Sequence, residues 1–176
     1  MIVFRKLTQQ TLNLYQELAK KTYQDAFSYT TSSQNMTNYL KETFSDEAVK
    51  KELNNPETAI YIVQYNDDIA GYLKLNFGAS QSSDKRPSDW VELERLYLLN
   101  SMQGLGLGKK MISFAKERVR EMDKRTLWLD VGEEHPDTQQ FYKKQGFVFL
   151  GDRRSFWMGD DEQFVLSMFQ KIQTSV

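Results

Sequence analysis

The sequence predicts a mixed sheet with helices on its faces, α/β or α+β in class. Three observations predict it. Apolar runs of strand length recur along the chain, as in "AIYIVQY", "IAGYLKLNF" and "RTLWLDV". Between them lie stretches whose apolar residues follow helical spacing. The chain has 176 residues, 40% hydrophobic and 27% charged, which suits one globular domain spanning residues 1–176 with a core on both sides of a sheet.

The elements follow in order. "IVFRKL" is a short strand, and Thr8 opens a helix carrying Leu12, Tyr15, Leu18/Ala19, Thr22/Tyr23 and Ala26 on one stripe. "SYTTSSQN" breaks it, and "MTNYLKETF" is a second, shorter amphipathic helix. Ser45 fits the N-cap of "DEAVKKEL", with Asp46 and Glu47 in the first turn. "AIYIVQY" and "IAGYLKLNF" form a hairpin about the turn Asn66–Asp68, with Ile69, Gly71, Leu73, Leu75 and Phe77 on one face. "GASQSSDKRPSD" is a loop and "WVELERLYL" a strand. After a glycine-rich stretch comes a helix to about Met122, with Met111/Ile112, Ala115, Val119 and Met122 as its stripe. "RTLWLDV" is a strand, and "DTQQFYKKQG" a helix with Pro136 at its first position and Gly146 as its stop. "FVFLG" and "QFVLSMFQKI" are strands around the loop "DRRSFWMGDDE". The resulting order is β, α, α, β, β, β, α, β, α, β, β.

Composition excludes several functions. A net charge of −1 offers no basic face for nucleic acid. Without cysteine there is no disulfide, thiolate metal site or covalent Cys intermediate. The one histidine, His135, cannot build a histidine zinc site alone, and no metal is expected. The opening apolar run ends at Arg5, too short for a signal peptide, and no run approaches the roughly 20 residues of a membrane span. The expected location is cytoplasmic, and a homodimer is compatible with the sequence.

"NSMQGLGLGKKM" places three glycines between a strand and a helix. Free N–H groups at a helix start, with the helix dipole, make an anion site. The P-loop pattern fails, because Gln103 stands where its first Gly belongs and Lys110 replaces its hydroxyl. The dinucleotide fingerprint fails because the third glycine comes one residue early. The pattern Q/R-x-x-G-x-G/A is met in full by Gln103, Gly104, Leu105, Gly106, Leu107 and Gly108.

That pattern resembles the acetyl-CoA pyrophosphate loop of the GNAT N-acetyltransferases. Leu96-Tyr97-Leu98 resembles the end of that family's fourth strand, and "LDVGEEHPDTQQFYKKQGF" resembles its later segment through Phe141-Tyr142, Lys144 and Gly146-Phe147. The resemblance covers nearly the whole chain. It implies a mixed, mostly antiparallel sheet of about seven strands flanked by helices on both faces. It also implies acetyl-CoA as co-substrate, held by Leu96, Tyr97, Leu98, the Gln103–Gly108 loop, Lys109 and Lys144. His135 stands where the family carries an Asn that helps hold the cofactor or cap the helix, and Thr138 where it carries Ala.

Acetyl transfer from a thioester needs a neutral amine, a proton acceptor and a donor for the oxyanion. Glu92 and Glu94 are candidate bases, sharing in an ideal strand a face with Leu96 and Leu98. Both equally fit ion pairs with Arg95 or Lys74. Spacing alone makes Phe141 and Tyr142 core residues; the family resemblance implies that Tyr142 protonates the leaving sulfur. The blocks "NMTNYLKETFSDEAVKKEL", "LERLYLLNSMQGLGLGK" and "SFWMGDDEQ" resemble bacterial polyamine acetyltransferases of the PaiA type. That implies spermidine or spermine as acceptor, near Tyr29, Tyr39, Glu42, Phe44, Asp46 and Glu47 or near Phe156, Trp157, Asp160, Asp161 and Glu162. A peptide acetyltransferase and a non-catalytic CoA sensor are the alternatives.

Overall fold

The hairpin turn sets the sheet. Asn66 and Asp67 both take positive φ (49° and 72°), the left-handed pair that suits a two-residue turn. They join β2 (Thr58–Tyr65) to β3 (Asp68–Phe77). In this computed structural model, which describes residues 1–173, seven strands form one sheet in the order β1-β2-β3-β4-β5-β7-β6. The others are β1 (Ile2–Lys6), β4 (Trp90–Leu98), β5 (Thr126–Gly132), β6 (Val148–Met158) and β7 (Asp161–Lys171). Neighbours pair antiparallel except β4 with β5.

Helices cover both faces. α4 (Leu107–Glu121) and α5 (Pro136–Lys144) pack on one. There the α4 stripe Leu107, Met111, Ile112, Ala115 and Val119 meets Leu73, Leu75, Val91, Leu127 and Leu129. α1 (Leu12–Phe27), α2 (Ser33–Thr43) and α3 (Asp46–Asn54) cover the other face, bringing Tyr15, Leu18, Leu40, Phe44 and Val49 onto Ile60, Ile62 and Tyr72. Each fully buried aliphatic or aromatic side chain contributes about 1.5–3 kcal/mol.

Three helices separate β1 from β2, matching the stretches opened by Thr8, by "MTNYLKETF" and by Ser45, where the order β, α, α, β counts only two. Ser32 Oγ accepts from the Asn35 N–H at 3.1 Å and starts α2 before "MTNYLKETF". Ser45 Oγ accepts from the Ala48 N–H at 3.2 Å and starts α3 separately.

Three other expectations are corrected. "DRRSFWM" is strand, not loop: from Arg153 it pairs with β7, and its polar alternation reflects a sheet edge with one side in water. The register of β2 with β3 slips by one residue at Ala70. Ile69 therefore packs with the α1–α3 core while Leu73 and Leu75 pack with the α4 core. Gly108 lies inside the first turn of α4 and not in the loop before it.

Candidate active site

β4 makes the site by failing to stay paired. It meets β5 only from Trp90 to Glu92, opposite Thr126 to Trp128. Its register with β3 slips one residue further on, so that Leu93 faces Leu75, Arg95 faces Lys74 and Glu94 is the extra residue. Such a bulge bends a strand and increases its twist. Beyond it a cleft of about 670 Å³ opens between β4 and β5. Leu93, Glu94, Leu96, Tyr97 and Leu98 line one wall and Asp130, Val131 and Gly132 the other.

The bulge also overturns the expected face. Leu93, Leu96 and Leu98 pack toward α4, whereas Tyr97 packs toward α1. Glu92 does not share the side of Leu96 and Leu98, and it does not line the cleft. Its carboxylate is buried, accepting from the Ser82 N–H at 2.8 Å, from Ser82 Oγ and from Asn76 Nδ2 at 3.3 Å. Burial pushes this carboxyl above its ordinary range against those hydrogen bonds. Glu94 does line the cleft. It pairs with Lys74 Nζ at 2.6 Å and Arg95 Nη2 at 3.2 Å, and accepts from Asn76 Nδ2. Burial pulls its carboxyl up, but Arg95 and Lys74 outweigh that and hold it below the ordinary range.

One end of the cleft is glycine backbone. Gln103 Nε2 donates to the Leu98 carbonyl at 3.5 Å and to Asn100 Oδ1 at 3.3 Å, tying the loop to β4. Gly104 and Gly106 take φ of 76° and 73°, and a Cβ on either would stand in open space. Their need is thus conformational, not steric. Gly106 is the N-cap of α4, and no side chain caps that helix. Its first amides therefore point, unpartnered by intrahelical carbonyls, toward the cleft end. Gly108 has a different reason: a Cβ there would come within 3.1 Å of Phe141 Cζ. Gln103, Gly104, Gly106, Leu107, Gly108 and Lys109 all border the cleft. Leu105, half exposed, does not, and neither does Lys144, exposed at the end of α5. A bare backbone cradle at a helix N-terminus fits a diphosphate.

At the other end lie Tyr142, Tyr97, Phe27, Tyr29 and His135. Burial pushes the Tyr142 phenol well up, so it stays protonated near neutrality. His135 precedes α5 without capping it; instead its Nδ1 lies 3.1 Å from Tyr29 Oη. Of the acceptor-side residues expected from sequence, Tyr29 reaches the cleft. Phe44 is fully buried core, Tyr39 stacks on Tyr23, and Asp46 accepts from Gln16 Nε2 at 2.9 Å. Glu42, Glu47, Phe156 and Trp157 also stand outside the cleft, while Asp160, Asp161 and Glu162 border a smaller cavity of about 360 Å³ beside it. Sequence reasoning missed Thr22, Phe27, Asp130 and Asp137 in the lining. Only the helical stripe marked Thr22, and that stripe reads as core.

Residues 13–147 match the acetyltransferase (GNAT) family. The chain belongs to that family. It is an acetyl-CoA-dependent N-acetyltransferase, and its mixed, mostly antiparallel sheet is the GNAT fold. An uncharacterised N-acetyltransferase of Lactobacillus delbrueckii subsp. lactis is 33% identical over 146 residues, 83% of each chain. A PaiA N-acetyltransferase from Thermoplasma acidophilum, solved in complex with coenzyme A, superposes with a TM-score of 0.77 at 20% identity, over 97% of this chain and 99% of that one. A SpeG spermidine N-acetyltransferase variant from Vibrio cholerae gives 0.70 at 16% identity, over 97% and 93%. The last two likenesses are likenesses of fold. No helix among the described residues of this acetyltransferase is long and apolar enough to cross a membrane.

Proposed function

We propose that this GNAT enzyme acetylates a primary amine of the polyamine class, such as spermidine or spermine, by direct attack with both substrates bound. The observation that carries the reading is the parting of β4 from β5 beyond Glu92, which sets Glu94 and Tyr142 along one cleft with the uncapped start of α4 at its end. The fold likeness to proteins named for PaiA and spermidine acetylation supports the acceptor class. So do the carboxylates Glu94 and Asp137 in the cleft lining, which suit a cationic ligand, whereas Asp130 beside them is already paired with Arg154.

Acetyl-CoA supplies the acetyl group as a thioester. The backbone of Gly104, Gly106 and Gly108, with Gln103 and Lys109, holds its pyrophosphate. The β4 backbone from Leu96 to Leu98, free of β5, aligns the rest and offers an N–H to the oxyanion. Tyr142, kept protonated by burial, gives its proton to the departing sulfur. Glu94, held ionised by Arg95 and Lys74, is a weak proton acceptor. Its part is to hold the acceptor's ammonium. Glu92 is walled off behind Ser82 and takes no part in the chemistry.

The test is thiol release from acetyl-CoA against spermidine, spermine, putrescine, monoamines and short peptides. Turnover on polyamines with kcat/KM at least about tenfold above monoamines is expected, a gap of about 1.4 kcal/mol. Turnover on peptides alone would transfer the reading to a peptide acetyltransferase.

A further inference from the structure

We infer that His135 is the proton acceptor for the amine, a task left open by Glu94, which is ion-paired to Lys74 and Arg95. The inference rests on the reading above, that the cleft receives an amine, and deepens it. At neutral pH a primary alkylamine is protonated in all but about one molecule in a few thousand. An ammonium cannot attack a thioester, so a group in the cleft must take its proton. Glu94 is tied to two cations, and the Tyr142 phenol is held protonated. Imidazole is the side chain whose ordinary chemistry accepts and releases a proton near neutrality.

Geometry places His135 for this. It belongs to the wall of the main cleft and to the wall of the adjoining 360 Å³ cavity, so the ring stands between the two. Nδ1 is engaged by Tyr29 Oη at 3.1 Å, and the ring packs edge-on to Phe27 with centroids 5.4 Å apart. Were the Tyr29 hydroxyl to donate to Nδ1, Nε2 would carry the ring proton and could not accept another, so the opposite tautomer is required. With Tyr29 donating its proton onward to water, Nδ1–H donates to Oη and Nε2 accepts. Nε2 has no hydrogen-bond partner among the described residues. Gly132 makes room for the ring, since a Cβ there would collide with the imidazole Cδ2.

Carboxylates stand on both sides of the ring. Glu133 and Glu134 flank the ring in its own loop, Asp137 stands on α5 and Asp130 on β5. Across the smaller cavity the β6–β7 turn presents Asp160, Asp161 and Glu162. The cations facing them are Lys109 of α4, at the glycine end, Arg154, which pairs with Asp130, and Arg153, which engages Glu133 at 2.8 Å. The step balances simply. The ammonium gives one proton to Nε2 and becomes neutral amine, and the imidazolium returns that proton to water in the carboxylate-lined cavity.

The test pairs His135→Asn and His135→Gln with Tyr29→Phe. His135→Asn should lower kcat/KM for the amine about 100-fold near pH 7, with KM for acetyl-CoA unchanged. The defect should shrink to a few-fold by about pH 10, where the amine loses its proton unaided. Added imidazole should restore part of the lost rate. Tyr29→Phe should lower kcat several-fold and keep the pH profile, because it frees the ring without removing it. A second readout needs no turnover. His135 is the only histidine, so its ring resonance in the untagged chain is unambiguous, and spermidine should lower its titration midpoint in the CoA-bound protein. A pH-independent defect, a raised KM for acetyl-CoA, or a midpoint indifferent to spermidine would each overturn the inference. Wild-type protein inactive on every amine would instead overturn the proposed acceptor.

Discussion

The two ends of the cleft are built from different materials. The glycine end is backbone from one continuous stretch, Asn100 to Lys109. The acceptor end is side chains from five separate segments: Phe27 of α1, Tyr29 after it, Glu94 and Tyr97 of β4, His135 before α5 and Tyr142 within it. On the reading proposed above, the first end holds a diphosphate, which needs only amides and a helix start. The second must recognise one amine and move protons, which takes particular side chains held by distant contacts. The two ends should therefore fail differently when altered.

The largest expected effect lies at the acceptor end. Tyr142→Phe should lower kcat about 100-fold while the thermal midpoint stays within a few degrees, because burial is the one cause that shifts the phenol and no hydrogen bond among the described residues contributes. A kcat within a few-fold of the wild type would make Tyr142 plain core. At the glycine end, Gly106→Ala should raise the acetyl-CoA Kd about tenfold and cost about 1–2 kcal/mol of stability, since its φ of 73° is strained for any side chain. Gly108→Ala should be milder, because its backbone is helical and only Phe141 must shift. Calorimetry compares them, and equal losses would break the claim that this end works through left-handed backbone.

Smaller effects separate the two glutamates of β4. Glu94 is held below its ordinary value of 4.5, so its ionised form favours the fold. That contribution is present above 4.5 and is lost as pH falls through the folded value. Glu92 is raised, so its protonated form favours the fold, a contribution present below 4.5 and lost as pH rises through the folded value. At pH 7, Glu94→Gln should lower the thermal midpoint and Glu92→Gln should raise it, each by about 2–4 °C. Both differences should fade in acid, and parallel behaviour across a pH series of melting curves would sink the distinction. The smallest effect is expected of Lys109→Ala. It should weaken acetyl-CoA binding about threefold at low salt and hardly at all near 0.5 M, where screening is short-ranged.

The same contrast explains what could be read in advance. Gly104, Gly106 and Gln103 announced the glycine end because loop, cap and dipole are local properties. Ser45 and Pro136 likewise marked helix starts correctly, each acting within one turn. Glu92 and Glu94 looked equivalent because strict alternation puts i and i+2 on one face. The β3–β4 register slip at Glu94 breaks that alternation, and no residue near it signals a bulge. "DRRSFWM" read as loop because its pairing partner lies beyond the next turn, in β7.

By itself the sequence determined the helices, the hairpin, the apolar stripes and the bare-backbone turn before α4. These follow from propensity, capping and periodicity, whose range is a few residues. Only the tertiary structure decided which glutamate enters the cleft, that β4 and β5 part after Glu92, and that Tyr29 meets His135 across 106 positions of chain. Those outcomes depend on strand register and on the packing of α1 against the sheet. Both are settled by burial of the whole core, which no short stretch of sequence contains.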